Sequence, residues 1–573
     1  MISLNLKSCI FNKELEMRLD SFLLLQLLLG FSIANLCFLI NIPLNAWQFW
    51  ASFVLATGFA FWHSLKSGFM MIALNALMFI LTLYTFTYTH FDASVCHLPI
   101  SHFLQDGWNP IKDLSVDTIR GYFANRGVSN MMAFAVYHII AAPKFSQILA
   151  AQMQSAFGLL TAGGYALWFM CFALAISAYR FSCRVFKFSS IISIIFAVLV
   201  ITNLILVEAC FWGLVDYVSY SAIAISAFSL RVWMDTKCKI DIASFFAGAV
   251  IAVSTKMNSI VCICLLLILA AIVGRKNKDM RIGIIVFLVS LLFFCIIPYW
   301  ASSWHYGSPF YPAHSFRADV PLMDLTGDFI GNEDSSKMGY IARMVYAWVS
   351  RPLAILGCKW WYSLESFDPH WKVEFLTRGQ GPFFSFLLWS GAILSLFINR
   401  NSTTLVGWVL LLAFFLVPVK YIGYPRYACF VYFVVILLWF NILCAIPLKM
   451  KKLFFLVPAL FASVAFCKCV ASFFKQVHGE GVRQKNIYKI AKYGDYSCPK
   501  ESLEGWEYSV VNRFLLEGAS FTSQGTNLVH ILWPLEFSGP RLVERDKSLS
   551  RCLFYTFPRP LLISRSFKKG DCE

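Results

Sequence analysis

Charged residues are scarce in this sequence. They make up 14% of the 573 residues, whereas 59% are hydrophobic and the mean hydropathy is +0.66. A soluble globular protein with so few charges could not cover its surface with polar side chains, so the composition excludes that class. It indicates a polytopic membrane protein built from transmembrane helices.

Acidic residues are scarcer than basic ones. There are 31 Asp and Glu against 48 Lys and Arg, which gives a formal net charge of +17. Such a surplus can indicate nucleic-acid binding, but here the basic residues fall mostly in short clusters between apolar runs. That distribution is typical of signals that orient membrane spans. We therefore expect membrane lipids as partners and no nucleic acid.

Thirteen apolar segments are candidates for membrane spans, the shorter ones as paired segments. They lie near 21–42, 48–63, 69–88, 159–178, 189–208, 213–233, 242–255, 257–274, 282–300, 383–398, 404–420, 426–446 and 453–472. Clusters of basic residues fall in alternate loops, which are therefore predicted to be cytoplasmic. These residues are Lys66, Arg180, Arg184, Lys187, Arg231, Lys237, Lys239, Arg275, Lys276, Lys278, Arg281, Arg400, Lys449, Lys451 and Lys452. Basic residues near the N-terminus place that end in the cytoplasm, and the odd number of spans then places the C-terminus outside.

The predicted fold is an all-α polytopic membrane protein with three regions. Residues 1–68 form a cytoplasmic tail and two extra spans, 69–472 form a transmembrane core, and 473–573 form a small non-cytoplasmic cap. The core carries two large outer loops, 89–158 and 301–382.

The first outer loop is predicted to contain amphipathic helices. After Pro99, apolar residues at positions 100, 103 and 104 follow helical spacing, and Gly107 ends this helix. A second helix is expected over 113–124. Residues 242–274 predict a tilted or re-entrant hairpin, because its two halves are too short for comfortable spans and a polar tip at 255–258 divides them.

Five ionisable residues stand out at the predicted outer surface. They are Asp92, Asp216, Lys144, Lys256 and Arg426. A carboxylate can take the proton from an acceptor hydroxyl, and cations can neutralise a departing phosphate, so this set suits group transfer from a phosphate-linked donor. The two acids could also, or instead, hold a divalent cation such as Mg²⁺ or Mn²⁺.

Each of these residues also has a structural interpretation. Asp92 can simply begin the next helix, and Asp216 can satisfy backbone amides near a span end. Lys144 and Arg426 can snorkel from apolar surroundings towards the interface. Glu208, at the end of the fifth segment, favours a functional interpretation, because ionisable groups at membrane depth usually serve function, and a structural pair with a neighbouring cation is the alternative.

Weaker candidates complete the predicted site. The residues that could contact substrate are His97, Glu208, His305 and Tyr311. No two histidines on the outer face have a convincing metal-ligand spacing. The predicted cap carries three cysteines, Cys498, Cys552 and Cys572. Because three is an odd number, any disulfide pairing stays open.

Seven short motifs, in order over roughly residues 69 to 446, resemble the GT-C superfamily of multi-span glycosyltransferases. The nearest branch is the bacterial one similar to dolichyl-phosphate-mannose protein mannosyltransferases and aminoarabinose lipid A transferases. The motifs are Phe91-Asp92-Ala93 with His97-Leu98-Pro99, Gly107-Trp108-Asn109-Pro110, Ala142-Pro143-Lys144, Gly213-Leu214-Val215-Asp216, Ser254-Thr255-Lys256, Tyr306-Gly307-Ser308-Pro309-Phe310-Tyr311-Pro312 and Pro425-Arg426-Tyr427.

The resemblance implies a polyprenyl-phosphate sugar as donor and transfer at the outer leaflet. It implies Asp92 as the catalytic base, with Asp216 supporting it or helping to bind a metal. Lys144 and Arg426 would contact the donor phosphate, and Lys256 would support the cavity. The chain departs from the pattern at Cys96, where the branch has tyrosine. The first loop also lacks the adjacent pair of acidic residues found in protein mannosyltransferases in the strict sense.

Two other functions fit a membrane protein of the glycan pathway. An O-antigen polymerase or ligase would use outer arginines and a histidine and would not need Asp92. A flippase or transporter would carry ionisable groups in mid-span and pseudo-repeated halves, and the sequence shows no clear repeat. We therefore predict a glycosyltransferase, probed first by substitution of Asp92.

Overall fold

The structure is a computed structural model of the whole chain. It describes residues 19–85, 97–124, 139–140, 143–157, 160–202, 215–294, 299–308, 382–398, 401–416, 429–446, 550–551 and 566–567. Within these ranges the helices are α1 (Leu19–Leu39), α2 (Ala46–His63), α3 (Leu65–Thr85), α4 (Leu98–Gln105), α5 (Val116–Ala124), α6 (Phe145–Phe157), α7 (Tyr165–Phe181), α8 (Ser190–Ile201), α9 (Asp216–Thr236), α10 (Lys239–Thr255), α11 (Ser259–Gly274), α12 (Lys278–Phe294), α13 (Ala301–Tyr306), α14 (Pro382–Ile398), α15 (Ser402–Leu416) and α16 (Val431–Ala445).

Short pieces of other structure accompany these helices. A 3₁₀ turn, Leu160–Gly164, precedes α7, and a π-helical turn, Ser182–Phe186, follows it. Two strands of two residues each, β1 (Ser550–Arg551) and β2 (Ser566–Phe567), pair antiparallel. The described part of the chain is otherwise helical or loop.

Helices occupy the places that the apolar runs predict. Twelve of the thirteen predicted segments coincide with a described helix, and the thirteenth, 453–472, lies outside the described residues. Within the described ranges, three helices are long and apolar enough to cross a membrane: Leu19–Leu39, Leu65–Thr82 and Ala162–Phe186. Helices α4 and α5 are the two that the sequence predicts in the first outer loop.

Helix α9 forms the centre of the described bundle. It packs most extensively against α10 and α7, and every residue from Asp216 to Trp233 is buried. The close approach of α10 depends on Gly248, because a Cβ atom there would lie 2.5 Å from Ser226 Oγ and 2.8 Å from the carbonyl oxygen of Ala222. Helix α1 joins this core through α7 and α10.

Helix α6 lies deeper than an outer loop would. Residues 145–154 are all buried, and the helix packs against α1, α2 and α4. Near the midpoint of α1, Gln152 Nε2 donates a hydrogen bond of 2.9 Å to the carbonyl oxygen of Gly30. The rings of Phe31 and Phe145 are 4.9 Å apart. The predicted outer loop 89–158 therefore includes a helix that packs inside the bundle.

A buried ionic triad joins three helices at one end of the bundle. The Arg180 guanidinium lies 3.2 Å from Asp20 Oδ1 and 2.9 Å from Asp241 Oδ1, and the three side chains are at most 3% exposed. Asp20 and Asp241 lie in the first turns of α1 and α10, whereas Arg180 lies in the last turn of α7. We call this the Arg180 end.

Candidate functional site

Two predicted site residues from separate motifs are in direct contact. Asp216 is the first residue of α9, and Lys256 directly follows the last residue of α10. Lys256 Nζ donates a hydrogen bond to Asp216 Oδ1 across a sequence separation of 40 residues. Their side chains are 18% and 6% exposed, respectively, so the pair is largely shielded from solvent.

The helices explain why this pair forms. A carboxylate in the first turn of α9 and an ammonium group after the last turn of α10 each complement the partial charge of their own helix end. Beside them, Ser219 Oγ and Ser259 Oγ lie 2.6 Å apart and join α9 to α11. We call this region the Lys256 end. Lys256 lies fifteen positions after Asp241 along α10 and its C-terminal cap, which places the two ends roughly 22 Å apart.

Helix α16 begins close to the pair. The charges of Lys256 and Asp216 both act electrostatically on the thiol of Cys429, just before α16. Tyr432 OH donates a hydrogen bond of 3.2 Å to the carbonyl oxygen of Thr202, after the end of α8. The segment that follows the Pro425-Arg426-Tyr427 motif therefore lies beside two other motifs.

Lys144 is completely buried just before α6. Its ammonium group donates a hydrogen bond of 3.1 Å to the carbonyl oxygen of Ile140 and lies 5.6 Å from the centroid of the Trp108 ring. Burial lowers the pKa of Lys144 from 10.5 to about 7. A lysine in this position does not snorkel to water, so that structural interpretation does not fit Lys144.

The turn after α4 holds Trp108 above Lys144. Gly107 has φ +91°, a left-handed conformation that favours glycine, and it redirects the chain after α4. Trp108 Nε1 donates to the carbonyl oxygen of Asp113 at 3.0 Å, and Asn109 Nδ2 donates to that of Phe38 at 2.8 Å. Phe38 lies in the last turn of α1, so this turn caps the end of α1 opposite Asp20.

Helices α4 and α6 are joined by polar contacts. At one end of their interface, His97 Nδ1 and Gln147 Nε2 are 2.8 Å apart. At the other end, Gln105 Nε2 donates to the carbonyl oxygen of Ala151 at 3.1 Å and to Gln154 Oε1 at 3.0 Å. Gln147 is not among the site residues that the sequence predicts. A glutamine one helical turn after Lys144, next to an apolar run, is the signal that could have identified it.

The segment containing α13 connects the predicted first outer loop to α10. Tyr306 OH donates to the carbonyl oxygen of Leu114 at 2.6 Å, and His305 Nε2 lies 3.4 Å from that of Ile111. Tyr299 OH donates to the carbonyl oxygen of Val253 at 2.9 Å, one turn before Lys256. Through these contacts the surroundings of Lys144 and of the Asp216–Lys256 pair become one continuous region.

Several predicted site residues lie outside the described residues. These are Asp92, Glu208, Tyr311, Arg426 and the cysteines Cys498, Cys552 and Cys572. The structure therefore does not test the proposed base or the second proposed phosphate ligand, and their assignments stay predictions.

The described residues do not form a divalent cation site. In the part of the chain that the structure describes, no three His, Cys, Asp or Glu side chains lie together in a way that could hold a metal ion. Among the described residues, Asp216 contacts the ammonium group of Lys256. A neighbouring positive charge opposes binding of a second cation. Mg²⁺ or Mn²⁺ therefore has no fitting set of ligands among these residues.

Comparisons with known proteins return no relative. No protein-family model matches the chain, and no curated protein or solved structure matches it. The resemblance to glycosyltransferases rests on the short motifs of the sequence.

Proposed function

We propose that the protein is an integral-membrane glycosyltransferase of the GT-C type. It transfers a sugar from a polyprenyl-phosphate donor to a lipid, glycan or protein acceptor at the outer face of the membrane. The observation that carries the proposal is the convergence of motifs that are far apart in sequence: Asp216 pairs with Lys256, Lys144 lies beneath Trp108, and Tyr306 holds the first outer loop.

The proposed topology puts this region on the non-cytoplasmic side of a bacterial inner membrane. Thirteen spans follow from the apolar segments. A cytoplasmic N-terminus and an outer cap over 473–573 follow from the distribution of basic residues and the odd number of spans. This orientation is supported by the positions of the Arg180 triad and the Asp216–Lys256 pair at opposite ends of α10. Asp241 lies beside the predicted cytoplasmic residue Lys239, and Lys256 lies at the other end.

Asp92 is the proposed base of an inverting reaction. Its carboxylate takes the proton of the acceptor hydroxyl as that oxygen attacks the anomeric carbon of the donor sugar. The bond from the anomeric carbon to the phosphate oxygen breaks in the same step, and the lipid phosphate leaves with the electron pair. One displacement inverts the configuration at the anomeric carbon.

The lysines supply positive charge for the departing phosphate. Lys144, with a pKa of about 7, is partly neutral at physiological pH, and an adjacent phosphate would favour its charged form. Together with Arg426 it would neutralise the charge that develops on the phosphate. The Asp216–Lys256 pair would hold the ends of α9 and α10 in position beside the donor.

Substitution of Asp92 by Asn tests the proposal. The purified protein in nanodiscs would be assayed with undecaprenyl phosphate bearing a labelled sugar. Surface glycans of cells expressing each variant would be compared by mass spectrometry. We expect Asp92→Asn to reduce turnover by about 10³-fold or more and to retain donor binding, because the donor contacts stay intact. Asp117→Asn, an exposed acid at the start of α5, is the matched control and should retain activity.

Two results would contradict this function. Unchanged glycan synthesis with Asp92→Asn would favour a polymerase, a ligase or a flippase, none of which needs this carboxylate. If Asp92→Asn abolished donor binding instead of slowing the reaction of bound donor, Asp92 would not be the base.

A further inference from the structure

Gln147 carries a buried acceptor that no described residue satisfies. Its side chain lies in the first turn of α6, and the residue is 2% exposed. The amide nitrogen is 2.8 Å from His97 Nδ1, whereas Oε1 has no hydrogen-bond partner within the described ranges. A buried amide oxygen without a donor destabilises the folded state, so a buried group of this kind requires an explanation.

His97 fixes the direction in which this oxygen points. An amide nitrogen can only donate, so Nδ1 of His97 must accept the hydrogen bond and the ring proton resides on Nε2. His97 is itself 7% exposed and is held against α6. With its nitrogen bound to the imidazole, the Gln147 amide turns Oε1 away from His97.

The position of Gln147 links it to the proposed donor site. It lies three residues after Lys144, which is one helical turn, and both flank the contact between α4 and α6. His97 lies five residues after the proposed base Asp92, and five residues of chain span at most about 18 Å. Gln147 contacts His97 directly, so the chain length limits how far this acceptor can lie from the proposed base.

We infer that Gln147 Oε1 accepts a hydrogen bond from a hydroxyl group of the donor sugar, and that His97 is the residue that positions it. This inference rests on the proposed function. The amide oxygen requires a ligand group that donates a hydrogen bond, and the ionised phosphodiester of a lipid-linked sugar can only accept one. A hydroxyl fits better than an ammonium group, because Lys144 one turn away would repel a second cation. In this arrangement Lys144 serves the phosphate and Gln147 recognises the sugar.

Binding of two lipids separates these roles. The probes are undecaprenyl-phosphate mannose and undecaprenyl phosphate, each titrated into the full-length protein in nanodiscs. We expect Gln147→Met to weaken binding of the sugar-bearing lipid about 10-fold and to leave that of undecaprenyl phosphate within twofold. The matched control is Gln154→Met, which removes a buried glutamine of the same helix whose oxygen is bound by Gln105. It should alter neither affinity.

The positioning role of His97 has its own test. His97→Asn retains an acceptor near the place of Nδ1 and should preserve the preference for the sugar-bearing lipid. His97→Leu removes that acceptor and should reproduce the selective loss seen with Gln147→Met. Size-exclusion profiles would verify that each variant folds.

The inference is wrong if Gln147→Met weakens both lipids equally, or if it weakens neither, as expected when Oε1 binds only an ordered water molecule. Equal effects of Gln147→Met and Gln154→Met would also overturn it. Wild-type protein that binds undecaprenyl phosphate but transfers no sugar from any donor would instead contradict the proposed function.

Discussion

The two ends of α10 carry ion pairs of opposite character. At the Arg180 end, two carboxylates share one guanidinium, and all three groups are buried. At the Lys256 end, the described residues include two lysines, Lys256 and Lys144, and one carboxylate, Asp216. An end that is closed by its own counter-ions holds helices together. The proposed phosphate-linked donor would bring its negative charge to the Lys256 end, beside Lys256 and Lys144.

The largest expected effect is loss of the triad. Arg180→Met leaves Asp20 and Asp241 buried beside each other without a counter-ion, and breaking a buried ion pair in this way costs about 3–5 kcal/mol. We expect a large fall in the thermal unfolding temperature of the detergent-solubilised protein. The control is Arg184→Met, since Arg184 is half-buried and has no ion pair among the described residues. If Arg180→Met and Arg184→Met were equally stable, the triad would not hold the helices together at the Arg180 end.

The second effect is a pH dependence specific to Lys144. The folded state lowers its pKa to about 7, so the unfolded chain binds more protons between pH 7 and 10.5 and stability rises with pH over that window. The destabilisation is fully present below pH 7 and disappears above 10.5. From pH 7 to 9 the gain is about 2 kcal/mol. Unfolding temperatures of wild type and Lys144→Met, measured across this range, would check it. An equal slope in both proteins would exclude Lys144 as the source.

The smallest effect concerns the Asp216–Lys256 pair. Because Lys256 is partly exposed, we expect a coupling free energy of about 1 kcal/mol from the double-mutant cycle of Asp216→Asn and Lys256→Met. The comparison is the same cycle on Lys239 and Asp279, whose side chains are 80% and 40% exposed. That pair should show almost no coupling. A coupling free energy between Asp216 and Lys256 as large as the stability loss expected for Arg180→Met would mean that the two ends hold their helices together equally strongly.

The sequence predicts where the helices lie but not which side chains meet. Apolar runs identify the helices because burial in lipid or protein requires continuous apolar surface, and twelve predicted segments coincide with described helices. Asp216 and Lys256 were each selected from a motif, and their direct contact became visible only in the structure. Arg180 was assigned to membrane orientation alone, because a basic residue that orients a span and one that pairs inside the bundle look the same in sequence.

The depth of α6 is predicted only in outline, by the expected return of the chain to the membrane after Pro143-Lys144 within the predicted outer loop 89–158. Ser146 and the three glutamines of α6 resemble residues of an exposed loop helix, whereas the structure surrounds them with other helices. Hydrophobic pattern reports the average surroundings of a segment, so polar residues that are satisfied by partners distant in sequence are misread. Gln152, which reaches the backbone at Gly30, is an example.

The complete burial of α9 has a consequence for how the protein is made. This helix contains four serines and Arg231 between Asp216 and Trp233, and its surroundings in the described bundle are mainly protein. Such a segment gains little by entering lipid alone, because its polar side chains would lose their water, and several depend on other helices for partners, as Ser219 does on Ser259 and Arg231 on Thr403. During biosynthesis it should therefore leave the translocon only when α7 is already in place and α10 follows closely. The order of helices along the chain, rather than the hydropathy of α9, would then ensure its insertion.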